Sequence, residues 1–224
     1  MKQVITGDDS ITFYNEEYDE TYHSVTGAVE EAFKKFVEPA LSFVKDKNHV
    51  SVLDVGFGLG YNSAAALDRI FELNPECEAS IVGLEKDKEI LRVIPGLSCL
   101  QIKNYDIIKE MIKCMGRGGA KDKYEYEKGG VRLTLLLYDA VKSIRSVNSL
   151  FDIVFLDPFS PRKNPELWTE SFFKELRKRI KQDGVLTTYS CARRVRENLR
   201  RAGFKVFDGP CVGRRSPSSI ATPL

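Results

Sequence analysis

The run from His49 to Gly60 limits the fold more than any other part of the chain. An apolar stretch, His49 to Val55, leads directly into Gly56-Phe57-Gly58-Leu59-Gly60, and an alanine-rich segment with Ala64, Ala65, Ala66, Leu67, Ile70 and Phe71 follows. A short apolar run bounded by glycines reads as a buried strand, and the segment after it reads as a helix ending near Asn74-Pro75. Glycines at alternate positions let the backbone turn tightly and let a ligand approach where a Cβ would intrude. Dinucleotide folds use G-x-G-x-x-G at this turn. This chain has G-x-G-x-G preceded by Asp54, so a pyrophosphate-bearing ligand is disfavoured.

The rest of the chain repeats the alternation. Ala28, Val29, Ala32, Phe33, Phe36 and Val37 recur at helical spacing, predicting a first helix of about 15–20 residues, disturbed near Pro39. Ser80–Leu84, Val131–Tyr138, Phe151–Leu156 and Gly184–Tyr189 read as strands, with closing strands at Phe204–Phe207 and from Val212 onward. Asp87–Val93, Tyr105–Met115, Glu170–Ile180 and Arg193–Ala202 read as helices. Gly116 to Gly130 is polar with glycines at both ends, which predicts a loop or surface hairpin. Strands alternating with helices give a parallel sheet covered on both faces, with ligands beyond the carboxyl ends of the strands.

A chain of 224 residues, 42% apolar and 29% charged, fits one globular α/β domain and excludes a disordered one. Apolar runs such as Leu133–Tyr138 are too short to span a bilayer, and Met1 to Asp9 lacks a signal pattern. The expectation is a cytoplasmic protein with no membrane partner. Five cysteines without a C-x-x-C pair, beside only His23 and His49, argue against a metal site and for reduced thiols. The net charge of +2 is unevenly spread: Lys174 to Leu224 holds 13 Lys/Arg against 4 Asp/Glu. That basic portion suits a polyanion such as RNA, or is simply the solvent face of two helices.

Two acids follow the glycine turn at strand ends. Glu85 can accept hydrogen bonds from both hydroxyls of a ribose, and Asp139 ends the next strand. Either acid alone equally reads as a helix cap; in order after three strands they point to a nucleoside cofactor. The fourth strand runs into Asp157-Pro158-Phe159-Ser160-Pro161-Arg162-Lys163-Asn164-Pro165-Glu166-Leu167-Trp168. Its prolines stiffen it, and Phe159 and Trp168 either clamp a flipped base or seal the core beneath.

The segment Phe155 to Thr169 resembles the signature of the methyltransferase module of MnmC-type tRNA-modifying enzymes. The resemblance continues through Gly184–Ser190, Val195-Arg196, Ala202-Gly203-Phe204 and Gly213-Arg214-Arg215. It also takes in Gly56–Asn62 and, less specifically, Tyr22-His23-Ser24 with Gly27-Ala28. It implies a Rossmann-like class I S-adenosylmethionine-dependent methyltransferase with an N-terminal helical extension over 1–48 and a core over 49–224. The implied reaction is N-methylation of 5-aminomethyluridine, or its 2-thio form, at the tRNA wobble position. The cofactor is S-adenosylmethionine, with no metal and no flavin, and a separate enzyme generates the aminomethyl group. Pro158 departs from the small residue that many members carry there.

Motif and resemblance together assign the cofactor to Asp54, Gly56, Phe57, Gly58, Gly60, Asn62, Glu85 and Asp139, with Tyr22 from the lead-in. Asp157 is the catalytic candidate, orienting the amine by accepting an N–H bond. The substrate side comprises Pro158, Phe159, Ser160, Lys163, Asn164, Trp168, Arg193, Arg194, Arg196 and Arg214, with Arg200 and Arg201 as further phosphate contacts. The competing readings are a methyltransferase for another RNA base or a small-molecule amine, an NAD-linked oxidoreductase, and a non-enzymatic RNA-binding module.

Overall fold

The computed structural model describes residues 1–114 and 122–224. The chain opens with a small antiparallel sheet of β1 (Lys2–Ile5), β2 (Ile11–Asn15) and β3 (Glu20–Thr21). The sequence predicts an N-terminal extension and a first helix over 1–48; the meander in that extension consists of strands of only 4, 5 and 2 residues, too short to announce themselves by alternation. Helix α1 (Ala28–Glu31) then passes through a π-helical stretch, Ala32–Val37, into α2 (Glu38–Leu41). Pro39 has no N–H to donate back along the helix, which accounts for the disturbance. The Phe36 carbonyl accepts from Thr187 Oγ1 at 3.0 Å, which ties this helix to the sheet.

The main sheet is built from β4 (His49–Val55), β5 (Glu78–Glu85), β6 (Lys123–Lys128), β7 (Val131–Leu137), β8 (Phe151–Leu156), β9 (Ile180–Thr188), β10 (Phe204–Asp208) and β11 (Ser219–Pro223). Their spatial order is β10-β11-β9-β8-β4-β5-β7-β6. The five central strands are parallel, as predicted. Both edges are antiparallel: β11 inserts between β9 and β10, and β6 pairs with β7. The β6–β7 turn is Gly129-Gly130, both at positive φ (56° and 77°), the geometry a two-residue hairpin requires. The predicted hairpin region from Gly116 therefore holds a hairpin from residue 122 onward; residues 115–121 lie outside the described residues.

The helices are α3 (Tyr61–Leu73), α4 (Lys88–Val93), α5 (Tyr105–Cys114), α6 (Ala140–Ser146), α7 (Glu170–Arg177) and α8 (Arg193–Arg201). Alternate residues of the central strands feed two apolar layers. Val52, Ile153 and Phe155 face the layer shared with α3, α5 and the first helix. Leu53, Val154 and Leu156 face the layer shared with α6, α7 and α8. Every residue of β8 is buried, which is why it reads as an apolar run broken only by Asp152, whose carboxylate pairs with Lys47 and Lys181. Among the described residues no helix is long and apolar enough to cross a membrane.

The winding positions the site. From β4 the chain moves outward through β5 to β7, then returns to β8 beside β4 and moves the other way to β9. The crevice beyond the carboxyl ends of β4 and β8 is thus the switch point of the sheet. The N-terminal sheet packs over this end: Tyr61 donates its hydroxyl to Ile11 O at 2.8 Å, and Asn15 Nδ2 reaches Asp87 Oδ2 at 3.3 Å.

Candidate active site

A cavity of about 1000 Å³ occupies the switch point, at the upper end of the range for ligand sites. Gly56 and Gly58 line it from the β4 turn, at φ +85° and +52°. A Cβ on Gly56 would stand 2.6 Å from the carbonyl oxygen of Asp157, so glycine is what lets the β4 turn lie against the end of β8. Glu85 lines the cavity from the end of β5. Its Oε2 accepts from Gly58 N at 2.8 Å, and its Oε1 from Lys86 N and Asp87 N, each at 2.7 Å. Burial raises its proton affinity and these amides oppose that. Asp139 also lines the cavity, but its Oδ1 caps α6 by accepting from Val141 N and Lys142 N.

Tyr22 lines the cavity and donates its hydroxyl to Asp87, which caps α4. His23, buried beside it, is pushed down to about 4 by burial and is neutral at pH 7. Asp54 lies beneath the glycine turn rather than on the cavity wall. It is fully buried, its Oδ2 accepts from Ser63 Oγ at 2.7 Å, and burial pushes it up to about 7. Its Oδ1 and the Oδ1 of Asn62 are buried without a hydrogen-bond partner among the described residues.

Beside the glycine turn, at the end of β8, Asp157 lines the cavity and takes a hydrogen bond from Asn62 Nδ2 at 2.8 Å. Burial, and next the negative charge of Glu31, push its carboxyl well above the usual range; the Asn62 bond and Lys35 act the other way. Pro158, Phe159, Ser160 and Asn164 all line the cavity. Tyr189 closes it at the end of β9, donating its hydroxyl to Pro158 O at 3.0 Å. The β2–β3 turn latches onto this loop. Glu20 accepts from Ser160 N at 2.9 Å and from its hydroxyl, and Lys163 pairs with Asp19 at 3.0 Å. Tyr18 stacks on Phe159 with centroids 4.3 Å apart, so one face of Phe159 is already covered.

Several candidate residues lie elsewhere. Phe57 points into the core, filling the space that Gly83 leaves open; a Cβ on Gly83 would come within 2.6 Å of its ring. Gly60, at φ +75°, serves packing, since a Cβ there would meet Ile108 and Phe57 at 2.8 Å. Trp168 does not flank the cavity: it is 3% exposed, edge-on to Tyr189, and donates Nε1–H to Phe159 O at 2.9 Å, holding the loop from below. Arg196 is a strut, bonded to Ser219 Oγ, Ser218 O and Asp208. Arg193 pairs with Glu197, and Arg194, Arg200 and Arg201 are exposed on α8. Arg214 bonds Tyr189 O and so ties the basic C-terminal loop to the cavity wall.

Sequence reasoning missed Glu31, Tyr189 and the Glu20 latch. Glu31 had a legible signal, since it falls on the buried stripe of the first helix with Lys35 four residues on. Tyr189 and Glu20 reach the cavity only through tertiary contacts.

Comparison with known proteins agrees with this geometry. Residues 103–222 match the family described as S-adenosyl-L-methionine-dependent methyltransferase, and the chain belongs to that family. The crystal structure of MnmC2 from Aquifex aeolicus superposes with a TM-score of 0.84 at 36% identity, covering 99% of this chain and 70% of that one. An uncharacterized protein of Methanocaldococcus jannaschii, MJ0670, is 34% identical over 97% of this chain and 58% of its own length. The bifunctional MnmC protein of Ralstonia nicotianae, named for tRNA 5-methylaminomethyl-2-thiouridine biosynthesis, is 28% identical over 94% of this chain. The chain spans about a third of that protein's length. The enzyme is thus an S-adenosylmethionine-dependent methyltransferase of Rossmann-like fold, related to the methyltransferase part of MnmC. The residues fit the cofactor: a glycine cradle at Gly56 and Gly58 without Cβ atoms, and a fixed carboxylate at Glu85, all on the cavity wall.

Proposed function

We propose that the enzyme methylates the exocyclic amine of 5-aminomethyluridine, or its 2-thio form, at the wobble position of tRNA. The observation that carries this reading is Asp157: a buried carboxylate on the cavity wall, fixed by one amide from Asn62, at the strand end that abuts the glycine turn. The relatives named for tRNA 5-methylaminomethyl-2-thiouridine biosynthesis support it. In this reading Gly56, Gly58 and Glu85 hold the cofactor, Asp139 lies at the nucleoside end, and Tyr22 covers it. The basic C-terminal face, with Arg194, Arg200 and Arg214, takes the tRNA phosphates.

S-adenosylmethionine supplies a methyl group on a positively charged sulfur. An alkylamine has a pKa of about 10 in water and arrives as the ammonium ion, which has no lone pair to offer. Asp157 meets it as a carboxylate, accepts an N–H bond that aims the nitrogen, and takes the proton as the pair is freed. Burial, which raises the proton affinity of Asp157, also favours the neutral amine. Pro158 and the Tyr189 bond to its carbonyl keep the loop rigid, so orientation is set before reaction. The acceptor amine is already present on the tRNA when it enters this site, and we place the reaction in the cytoplasm.

The test is transfer of labelled methyl groups to tRNA from cells blocked at the aminomethyl stage, beside tRNA lacking that modification, with the nucleosides identified by mass spectrometry. Label is expected only in the first, as the methylaminomethyl nucleoside. Equal labelling of both would leave the methyltransferase activity and remove the proposed acceptor.

A further inference from the structure

The acceptor side of the cavity holds a second carboxylate. Glu31, at the end of α1, is 8% exposed and lines the cavity with Asp157 and Tyr189. Its Oε2 accepts from Ser24 N at 2.8 Å and its Oε1 from Lys35 Nζ at 2.6 Å. Lys35 is itself buried. A buried ion pair is a poor device for packing a helix on a sheet, because apolar side chains of similar volume do as well or better. This one is placed where its carboxylate faces the cavity. Asp157 is surrounded by Glu31 from α1, Lys35 from the π-helical stretch, Asp54 from β4, Asn62 from α3 and Tyr189 after β9.

We propose that Glu31 is a positioning residue of the acceptor site: with Asp157 it forms an anionic pair that draws the acceptor in as an ammonium ion and keeps the released proton on Asp157. This rests on the reading of Asp157 as the group that receives the amine. The amine's N–H bond breaks, its electron pair stays on nitrogen, and an O–H bond forms on Asp157. That pair then forms the N–C bond as the C–S bond breaks, with the bonding electrons left on sulfur. A like charge nearby makes a carboxylate hold its proton more firmly. Glu31 exerts the strongest charge effect on Asp157, and Lys35 offsets part of it. Ser24 N and Lys35 fix Glu31 from behind, so its charge is directed without its side chain being free to move.

The test is the pH profile of kcat/KM on aminomethyl tRNA at saturating S-adenosylmethionine, for the unaltered enzyme, Glu31→Gln, Glu31→Asp, Glu31→Gln/Lys35→Met and Asp157→Asn. In the active form Asp157 is ionised, so its titration sets the acid limb. Removing the Glu31 charge lowers the proton affinity of Asp157, and the limb moves to lower pH by about one unit or more, with the plateau rate falling about tenfold. Glu31→Asp, which keeps a carboxylate, recovers most of the original profile. If Glu31→Gln does not fold, the double variant leaves no unpaired buried charge and carries the same test, with a smaller shift in the same direction. Acid limbs that coincide in every Glu31 variant overturn the role of Glu31. A full rate in Asp157→Asn overturns the reading of Asp157 itself, whatever the Glu31 variants do.

Discussion

The two sides of the cavity hold carboxylates whose proton affinity is in both cases raised by burial, but which differ in how many donors fix them. On the cofactor side, Glu85 receives three backbone N–H groups, all from within the turns after β4 and β5. On the acceptor side, Asp157 receives one side-chain amide and faces another negative charge. A carboxylate with three fixed donors is held in one orientation, as a binding group requires. A carboxylate with few donors beside a like charge is poised to exchange a proton. In the proposed reading the molecule separates holding the cofactor from handling the acceptor, and the separation can be tested by breaking each side.

The largest effect is expected at Asp157. Asp157→Ala should fold and bind S-adenosylmethionine normally, while turnover on aminomethyl tRNA falls about 10²-fold or more through lost orientation. Asp157→Asn keeps the shape and one acceptor oxygen and should retain more activity than Ala. Single-turnover kinetics with calorimetry on the same samples separate the two quantities. A matching loss of cofactor affinity would show that the sides are not independent.

Glu85→Ala should do the converse. Calorimetry is expected to show cofactor affinity weakened by about 1–3 kcal/mol, the scale of hydrogen bonds to a charged group. Turnover at saturating cofactor should be largely retained. Unchanged affinity would remove Glu85 from the cofactor site.

A third expectation concerns pH and the residue beneath both sides. Burial pushes Asp54 up from 3.8 to about 7. Between those values the unfolded chain has lost this proton while the folded chain keeps it, so stability falls as pH rises through the window. Asp54→Asn should flatten that part of the dependence in denaturant titrations. An unaltered slope would mean that Asp54 is already ionised in the folded protein.

The smallest effects are expected outside the cavity. Arg194→Glu and Arg200→Glu should raise KM for tRNA a few-fold and flatten its salt dependence, at unchanged thermal stability. Arg196→Ala should lower stability instead, because its guanidinium holds β11 and Asp208. Salt dependence untouched at every exposed arginine of α8 would reduce that face to a solvated surface.

What could be read from the chain alone follows the same division. The β4 strand, the glycine turn, α3 and Glu85 are legible because each is local. The strand is buried on both faces, positive φ selects glycine, and the acid lies at a strand end beside two of the three amides it bonds, the third coming from the glycine turn. The five parallel central strands were legible for the same reason. The antiparallel edge made by β11, the N-terminal meander and the latch of Glu20 on Ser160 were not, since no short-range pattern encodes which distant segments pair. Phe57 and Trp168 mark the boundary most clearly. Their apolar character is visible in the sequence, but facing the ligand or the core depends on the space left at Gly83 and on the carbonyl of Phe159. The sequence by itself determined the glycine turn, the strand-end carboxylate at Glu85 and the place of Asp157 at the end of β8. Only the tertiary structure decided the environment of that carboxylate, because Glu31, Asn62, Asp157 and Tyr189 come from four separate elements, and a charge acts through space rather than along the chain.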